Sequence, residues 1–253
     1  MGGRRVLVTR AAHQAGKLSE ALRGAGFEPV EVPVLEIRPP DDLGPLDSSL
    51  QKLDTYDWLI LTSGNAVRAL VERAEVLGVG LGGVRTAAVG EATAGAARGA
   101  GLSVDVVPEK YVAEALVACL AGQVAGKRVL LARAEVARDV IPDALRAAGA
   151  TVDVVDAYRN VLPSGAAELL RAALEQGGDK RIWAATFTSS SSVTHLKEAA
   201  RVAGVVFPFA GVRAISIGPI TSTTLREVGW EPAAEASVSD IAGLVAAVGR
   251  VLG

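Results

Sequence analysis

The chain has 253 residues, with 26 Lys+Arg against 28 Asp+Glu, a net charge of -2 at pH 7 and 50% hydrophobic residues. That length allows one large domain or two modest ones. Apolar content this high, with so little net charge, excludes a disordered chain. The absence of any Lys/Arg block argues against the basic stripe of a nucleic-acid binder.

Cys119 is the single cysteine, and His13 and His195 are the two histidines. No disulfide framework and no Cys/His zinc site can be built from them, and a reducing, cytoplasmic setting is expected. The N-terminal apolar run ends after three residues, at Thr9 and Arg10, too soon for a signal-peptide core. The longest stretch without a formal charge, 182–196, carries Thr186, Thr188, the serines at 189–192 and Thr194. It is too polar for a membrane span.

In chain order, short Val/Leu/Ile-rich runs predict strands at 6–8, 58–61, 87–89, 104–107, 129–131, 152–155, 182–187 and 214–217. Ala/Leu/Arg/Glu stretches of helical period predict helices that include 17–24, 66–77, 113–120, 140–148 and 166–176. Continuous apolar strands alternating with helices specify α/β with parallel sheets. Cys119 is expected on the apolar stripe of its helix, within the core.

The chain also repeats itself. Lys127-Arg128-Val129-Leu130-Leu131-Ala132-Arg133 matches Arg4-Arg5-Val6-Leu7-Val8-Thr9-Arg10 at an offset of 123. Thr188-Ser189 follows Thr62-Ser63 at 126, and Gly218 with Thr221 follows Gly90 with Thr93 at 128. A long period seen twice indicates a duplicated domain. A tandem cut would fall near 122–126, but stronger Pro/Gly/Asp punctuation lies at 39–45 and 160–165, equivalent positions of the repeat. The favoured organisation is therefore two similar parallel-sheet, flavodoxin-like lobes joined by two connectors. The first is discontinuous, 1–38 plus 159–253, and the second is 39–158. A cleft between them is expected.

Ligands of open α/β sheets sit beyond the carboxyl ends of the strands. Here those ends carry Thr9-Arg10, Thr62-Ser63, Gly90 to Thr93, Arg133, Thr188-Ser189 and Gly218 to Thr221. Helix N-termini there would offer unsatisfied N–H groups to carboxylates or phosphates, although any one of these hydroxyls could equally be a plain N-cap. Other motifs fail. Gly78-Val79-Gly80-Leu81-Gly82-Gly83 spells GxGxxG but precedes a strand instead of following one, so it is a loop. No GxxxxGK[ST] and no GxSxG occurs. His195 lies inside a helix, and His13 sits close to the Arg10 turn.

Arg5-Val6-Leu7-Val8-Thr9-Arg10 with Gln14, Thr62-Ser63 with Ala66-Val67, and Val89-Gly90-Glu91-Ala92-Thr93-Ala94 together resemble the uroporphyrinogen-III synthase family. The likeness continues through Arg133-Ala134-Glu135 with Arg138-Asp139, Tyr158 and Ile217-Gly218-Pro219-Ile220-Thr221, in order, over essentially the whole chain. It departs at Ile220, where a second Thr is frequent, and at 188–192, where Pro often follows the Ser.

The resemblance implies a two-lobed enzyme, with the first lobe completed by the C-terminal half. It implies a lyase that cyclises hydroxymethylbilane to uroporphyrinogen III with loss of water and inversion of the last ring. No metal or organic cofactor is expected, and the only partner is the linear tetrapyrrole polycarboxylate, bound by a monomer. Arg10, Gln14, Thr62, Ser63, Gly90, Thr93, Arg133, Thr188, Ser189, Gly218 and Thr221 would hold the substrate. Tyr158, whose counterpart in the repeat is the aliphatic Leu35, would be the catalytic acid, because a phenol stays protonated at neutral pH and can donate. Two rivals remain: a two-lobed small-molecule binding protein without catalysis, and a response-regulator or flavodoxin-like signalling module. The latter lacks an acidic or phosphate-binding turn after its first strand.

Overall fold

The computed structural model describes residues 3–110 and 112–253. The chain opens with β1 (Arg5–Val8), α1 (Ala12–Gly24), β2 (Glu28–Glu31) and β3 (Glu36–Arg38). There follow α2 (Gly44–Leu50), β4 (Trp58–Leu61), α3 (Gly64–Leu77), β5 (Arg85–Ala88), α4 (Glu91–Gly99), α5 (Ala113–Leu120) and β6 (Arg128–Ala134). Next come α6 (Val140–Ala147), β7 (Thr151–Val161), α7 (Ala166–Leu174), β8 (Ile182–Phe187) and α8 (Ser190–Ala203). The chain closes with β9 (Arg213–Ser216), α9 (Pro219–Glu227), β10 (Pro232–Glu235) and α10 (Ile241–Leu252). It divides into two units, residues up to 36 with those from 161 onward, and residues 37–160.

In the first unit the strand order is β10-β9-β8-β1-β2, and every adjacent pair is parallel. β1 is buried along its whole length, as a parallel strand covered on both faces must be. Leu7 packs with Phe187, Leu196 and Trp230 on one face, while Val6 and Val8 pack with Leu18, Leu22 and Leu244 on the other. Trp230 meets Phe187, Phe207 and Phe209 edge to face, with centroids 5.5, 5.2 and 5.4 Å away.

In the second unit the order is β3-β7-β6-β4-β5, with β4–β5, β4–β6 and β6–β7 parallel. β6 and β7 begin 123 residues after β1 and β2 and stand at the corresponding places of their sheet. The equivalence extends to helix ends. Ser63 and Ser189 each cap a 14-residue helix, which Gly78 and Gly204 close with φ of 67° and 68°. Only glycine adopts that left-handed conformation at little cost.

The α/β architecture with parallel sheets matches the sequence expectation, and several elements differ in detail. The strand expected at 104–107 is reduced to one bridge, Val106 to Ala87. Asp105 turns its carboxylate to the Thr86 N–H, and Pro108 has no N–H with which to extend a ladder. β2 and β10 were not anticipated because their sequences, EPVE and PAAE, carry the Pro and Glu of edge strands. Helix α1 starts at Ala12 instead of 17, which brings its first turn against the end of β1. Cys119 is exposed, not in the core. The short α5 buries only Leu116 and Leu120, one turn apart, and Cys119 falls off that line. Among the described residues no helix is long and apolar enough to cross a membrane.

The Trp230 cluster gives a direct test of this core. Trp230→Ala is expected to cost about 3–5 kcal/mol, read as a lower urea midpoint, whereas Val206→Ala, at a position 83% exposed, should shift it by less than about 0.5 kcal/mol.

Candidate active site

A strand of a parallel sheet must leave by a crossover, so each strand here except β2, which leads to β3, runs into a helix whose first N–H groups have no partner within that helix. In the first unit β1 lies between β2 and β8, which makes the carboxyl ends of β1 and β8 the point at which the strand order reverses. Ligands of such sheets bind there. Thr9 and Thr186 lock the two strands together. The Thr9 hydroxyl donates to the Thr186 carbonyl at 2.8 Å, and the Thr186 hydroxyl donates to the Leu7 carbonyl at 2.9 Å.

Arg10 follows at the rim. Its Nη2 meets Gln14 Oε1 at 3.5 Å, and its Nε is buried without a partner. Burial lowers its pKa, since removing water disfavours the charged form. Thr188 and Ser189 come after β8. The Ser189 hydroxyl accepts from the Ser192 N–H at 3.2 Å, and Ser192 Oγ accepts from the Ser189 N–H at 3.3 Å, a reciprocal capping box. After β9, Gly218 opens α9 with no side-chain cap, and Thr221 is buried in its first turn. A Cβ at 218 would lie 2.8 Å from Ser239 Oγ, so glycine permits this close approach.

The second unit presents the corresponding ends of β4, β5 and β6. The Thr62 hydroxyl donates to the Ala132 carbonyl at 3.2 Å. Ser63 Oγ accepts from the Ala66 N–H at 3.1 Å, capping α3, and stands 3.2 Å from the Tyr158 hydroxyl. Gly90 opens α4 without a side-chain cap, and Thr93 is buried. Arg133 donates from Nη1 to Asp139 Oδ1 at 2.8 Å and to the Arg138 carbonyl at 3.3 Å, while its Nε is buried without a partner. Arg10 and Arg133 are 123 residues apart, and among the described residues only their Nε atoms are buried side-chain polar groups with no partner. Such groups are rare in native proteins, and each calls for an explanation.

Tyr158 is 8% exposed and sits on β7, with its ring in the core of this unit. The structure therefore joins Ser63 to Tyr158 across 95 residues, and it groups Thr62 with the β6 end that carries Arg133. Arg10, Gln14, Thr188, Ser189, Gly218 and Thr221 belong to the first unit and Thr62, Ser63, Gly90, Thr93, Arg133 and Tyr158 to the second. His13 is exposed, and His195 donates from Nδ1 to the Ser191 carbonyl at 2.8 Å inside α8. Sequence reasoning missed a cavity of about 380 Å³ that reaches Tyr158 and is lined by Arg38, Leu43, Leu46, Arg68 and Ala69. Its walls come from β3, α2, α3 and β7, which carry no shared motif.

Residues 16–246 match the family model described as uroporphyrinogen-III synthase HemD. The chain belongs to the uroporphyrinogen-III synthase family. The uroporphyrinogen-III synthase of Synechococcus elongatus is 36% identical over 252 residues, covering 97% of this chain and 94% of the relative. A relative from Methanothermobacter thermautotrophicus is 36% identical over 228 residues, covering 88% of each chain. Among solved structures, a mutant uroporphyrinogen III synthase of Thermus thermophilus superposes with a TM-score of 0.69 at 22% identity and 99% coverage of both chains. That of Helicobacter pylori does so with 0.66 at 19% identity, covering 98% of this chain and 99% of the other. At those identities the structural likeness establishes the family's fold.

Ser63 has two partners, and the variants at this contact separate them. Ser63→Ala removes the cap and the phenol contact together and should lower stability by about 1–2 kcal/mol. Tyr158→Phe, which keeps the cap, should cost only about 0.5–1.5 kcal/mol. Equal melting temperatures for Ser63→Ala and the parent protein would contradict this geometry.

Proposed function

We propose that the protein cyclises hydroxymethylbilane to uroporphyrinogen III, inverting the terminal pyrrole ring and releasing water. The observation that carries this reading is the pair of arginines at equivalent strand ends, each with a buried and unpartnered Nε. The substrate is a polycarboxylate, and a carboxylate is the natural acceptor for a guanidinium held beside open helix N-termini. Arg10 and Gln14, with the turns at Thr188-Ser189 and Gly218 to Thr221, would hold some of the acidic arms. Arg133, with the turns at Thr62-Ser63 and Gly90 to Thr93, would hold others. The backbone N–H groups of these turns are fixed by helices, so they bind without reorganising.

The chemistry asks for little more than a proton donor and a held conformer. The C–O bond of the hydroxymethyl group breaks, pushed by its pyrrole nitrogen, and the oxygen leaves as water with a proton from Tyr158. The azafulvene carbon then bonds to the substituted α-carbon of the last ring, giving a spiro species that reopens and recloses with that ring turned over. The proton lost from the macrocycle balances the one Tyr158 supplied. Ser63 fits this scheme. With one lone pair on the Ala66 N–H, its hydroxyl can donate to the phenol oxygen and leave the phenol proton for substrate. Because unguided ring closure proceeds without inversion, orientation accounts for the product's identity. The two units are read as products of one duplication, each keeping its strand-end binding edge, with Tyr158 as the addition specific to the second.

Separation of type III from type I uroporphyrinogen after incubation with hydroxymethylbilane tests the activity, and type I alone would overturn it. Arg10→Gln and Arg133→Gln should each raise KM about 10- to 100-fold, the worth of one charge-assisted hydrogen bond. Tyr158→Phe should lower kcat by about 10²-fold, the low end for a general acid, with KM nearly unchanged and the product still type III. Parental turnover in the Phe variant would make Tyr158 structural.

A further inference from the structure

The half-open cavity beside Tyr158 is lined wholly by residues of the second unit, and its wall chemistry is uneven in an informative way. Leu43, Leu46 and Ala69 make an apolar slot. Arg38, Arg68 and Arg73 also line it, against a single acidic lining residue among the described residues, Glu72. Arg73 is already closed by Asp47, which accepts from Nε and Nη2 at 2.5 Å each. Among the described residues Arg68 has only long contacts, 3.4 Å to Asn65 Oδ1 and 3.9 Å to Glu72 Oε1. Most of its five N–H donors are thus open to a stronger acceptor.

A flat apolar ring carrying carboxylates matches such a slot. Its volume of about 380 Å³ lies near the lower end of the roughly 300–1,000 Å³ that ligand pockets span. One substituted pyrrole fits there, and a whole tetrapyrrole does not. We propose that this cavity seats one pyrrole ring of the substrate, with the ring between Leu43, Leu46 and Ala69 and an acidic arm on Arg68. The inference rests on the tetrapyrrole reading and extends it to a ring-specific subsite. The ring seated is the one that bears the hydroxymethyl group. Tyr158 lines the cavity and would protonate that hydroxyl, whereas the ring at the other end must turn over and cannot be clamped. Ala69 and Arg68 are then specificity residues: they set KM for the tetrapyrrole without taking part in proton transfer.

The test uses the full chain and two readouts. The first is amide chemical-shift titration with a synthetic monopyrrole bearing one acetate and one propionate arm. A fragment of about 14 non-hydrogen atoms should bind with a Kd of about 1 mM, with shifts concentrated at residues 38–46 and 65–73. Arg68→Ala, at an exposed position, should weaken this binding about tenfold, and Ala69→Trp, which fills the slot, should abolish it. Shifts centred elsewhere, no saturable shifts, or parental binding in Arg68→Ala would overturn the proposal. The second readout is steady-state turnover of hydroxymethylbilane. Ala69→Trp should raise KM at least about tenfold, while Tyr158→Phe lowers kcat instead. If Ala69→Trp does not fold, Arg68→Ala alone decides, since its side chain lies at the surface. A parent protein with no turnover would overturn the proposed reaction, yet the titration would still decide the cavity. Turnover with parental KM in both cavity variants would overturn the cavity alone.

Discussion

Parallel pairing is the constraint from which the rest of this molecule follows. A parallel neighbour can be reached only by a crossover, so every strand must be followed by a segment that returns across a sheet face. The carboxyl ends of the strands then gather along one edge, and all but that of β2 open into helices whose first N–H groups lack partners within the helix. In the first unit that edge carries Arg10, Ser189 and Gly218, and in the second Ser63, Gly90 and Arg133. At Gly218 even a methyl would press on Ser239.

The same constraint explains why buried polar residues are tolerated in the middle of apolar sheets. Thr9 and Thr186 have no solvent exposure, yet each hydroxyl donates to a carbonyl of the neighbouring strand-end region. An unsatisfied hydroxyl there would cost roughly 1–3 kcal/mol, and none is left. Against that background the unpartnered Nε atoms of Arg10 and Arg133 stand out. Ser63 bridges the two themes: one lone pair closes a helix, and the remaining capacity of its hydroxyl reaches the phenol of Tyr158.

Legibility from sequence followed burial and periodicity. The strand at 182–187 and the helix at 113–120 have the boundaries expected from their apolar runs, and WLIL at 58–61 is buried throughout. The edge strands escaped notice because an edge is half solvated and admits Pro and Glu. Cys119 is exposed against expectation because a two-turn helix has too few residues to define its buried stripe. Near the site, the hydroxyls and glycines at strand ends were visible as residue types in series. The contact between Ser63 and Tyr158 was not, and neither was the cavity lined by β3, α2, α3 and β7.

The α/β class, the two-fold repetition at offsets of 123 to 128 and the ordered series of strand-end motifs are all legible in the order of residues along the chain. Each of these is local or is a comparison of local segments, so periodicity and spacing carry it. Only the packed fold brings β1 beside β8 across 177 residues at Thr9 and Thr186 and Tyr158 to Ser63. The fold also decided that the two arginine Nε atoms are buried without partners and that β3, α2, α3 and β7 line one cavity. These features depend on which apolar faces pack together, and a residue's own neighbours in sequence contain no record of that choice.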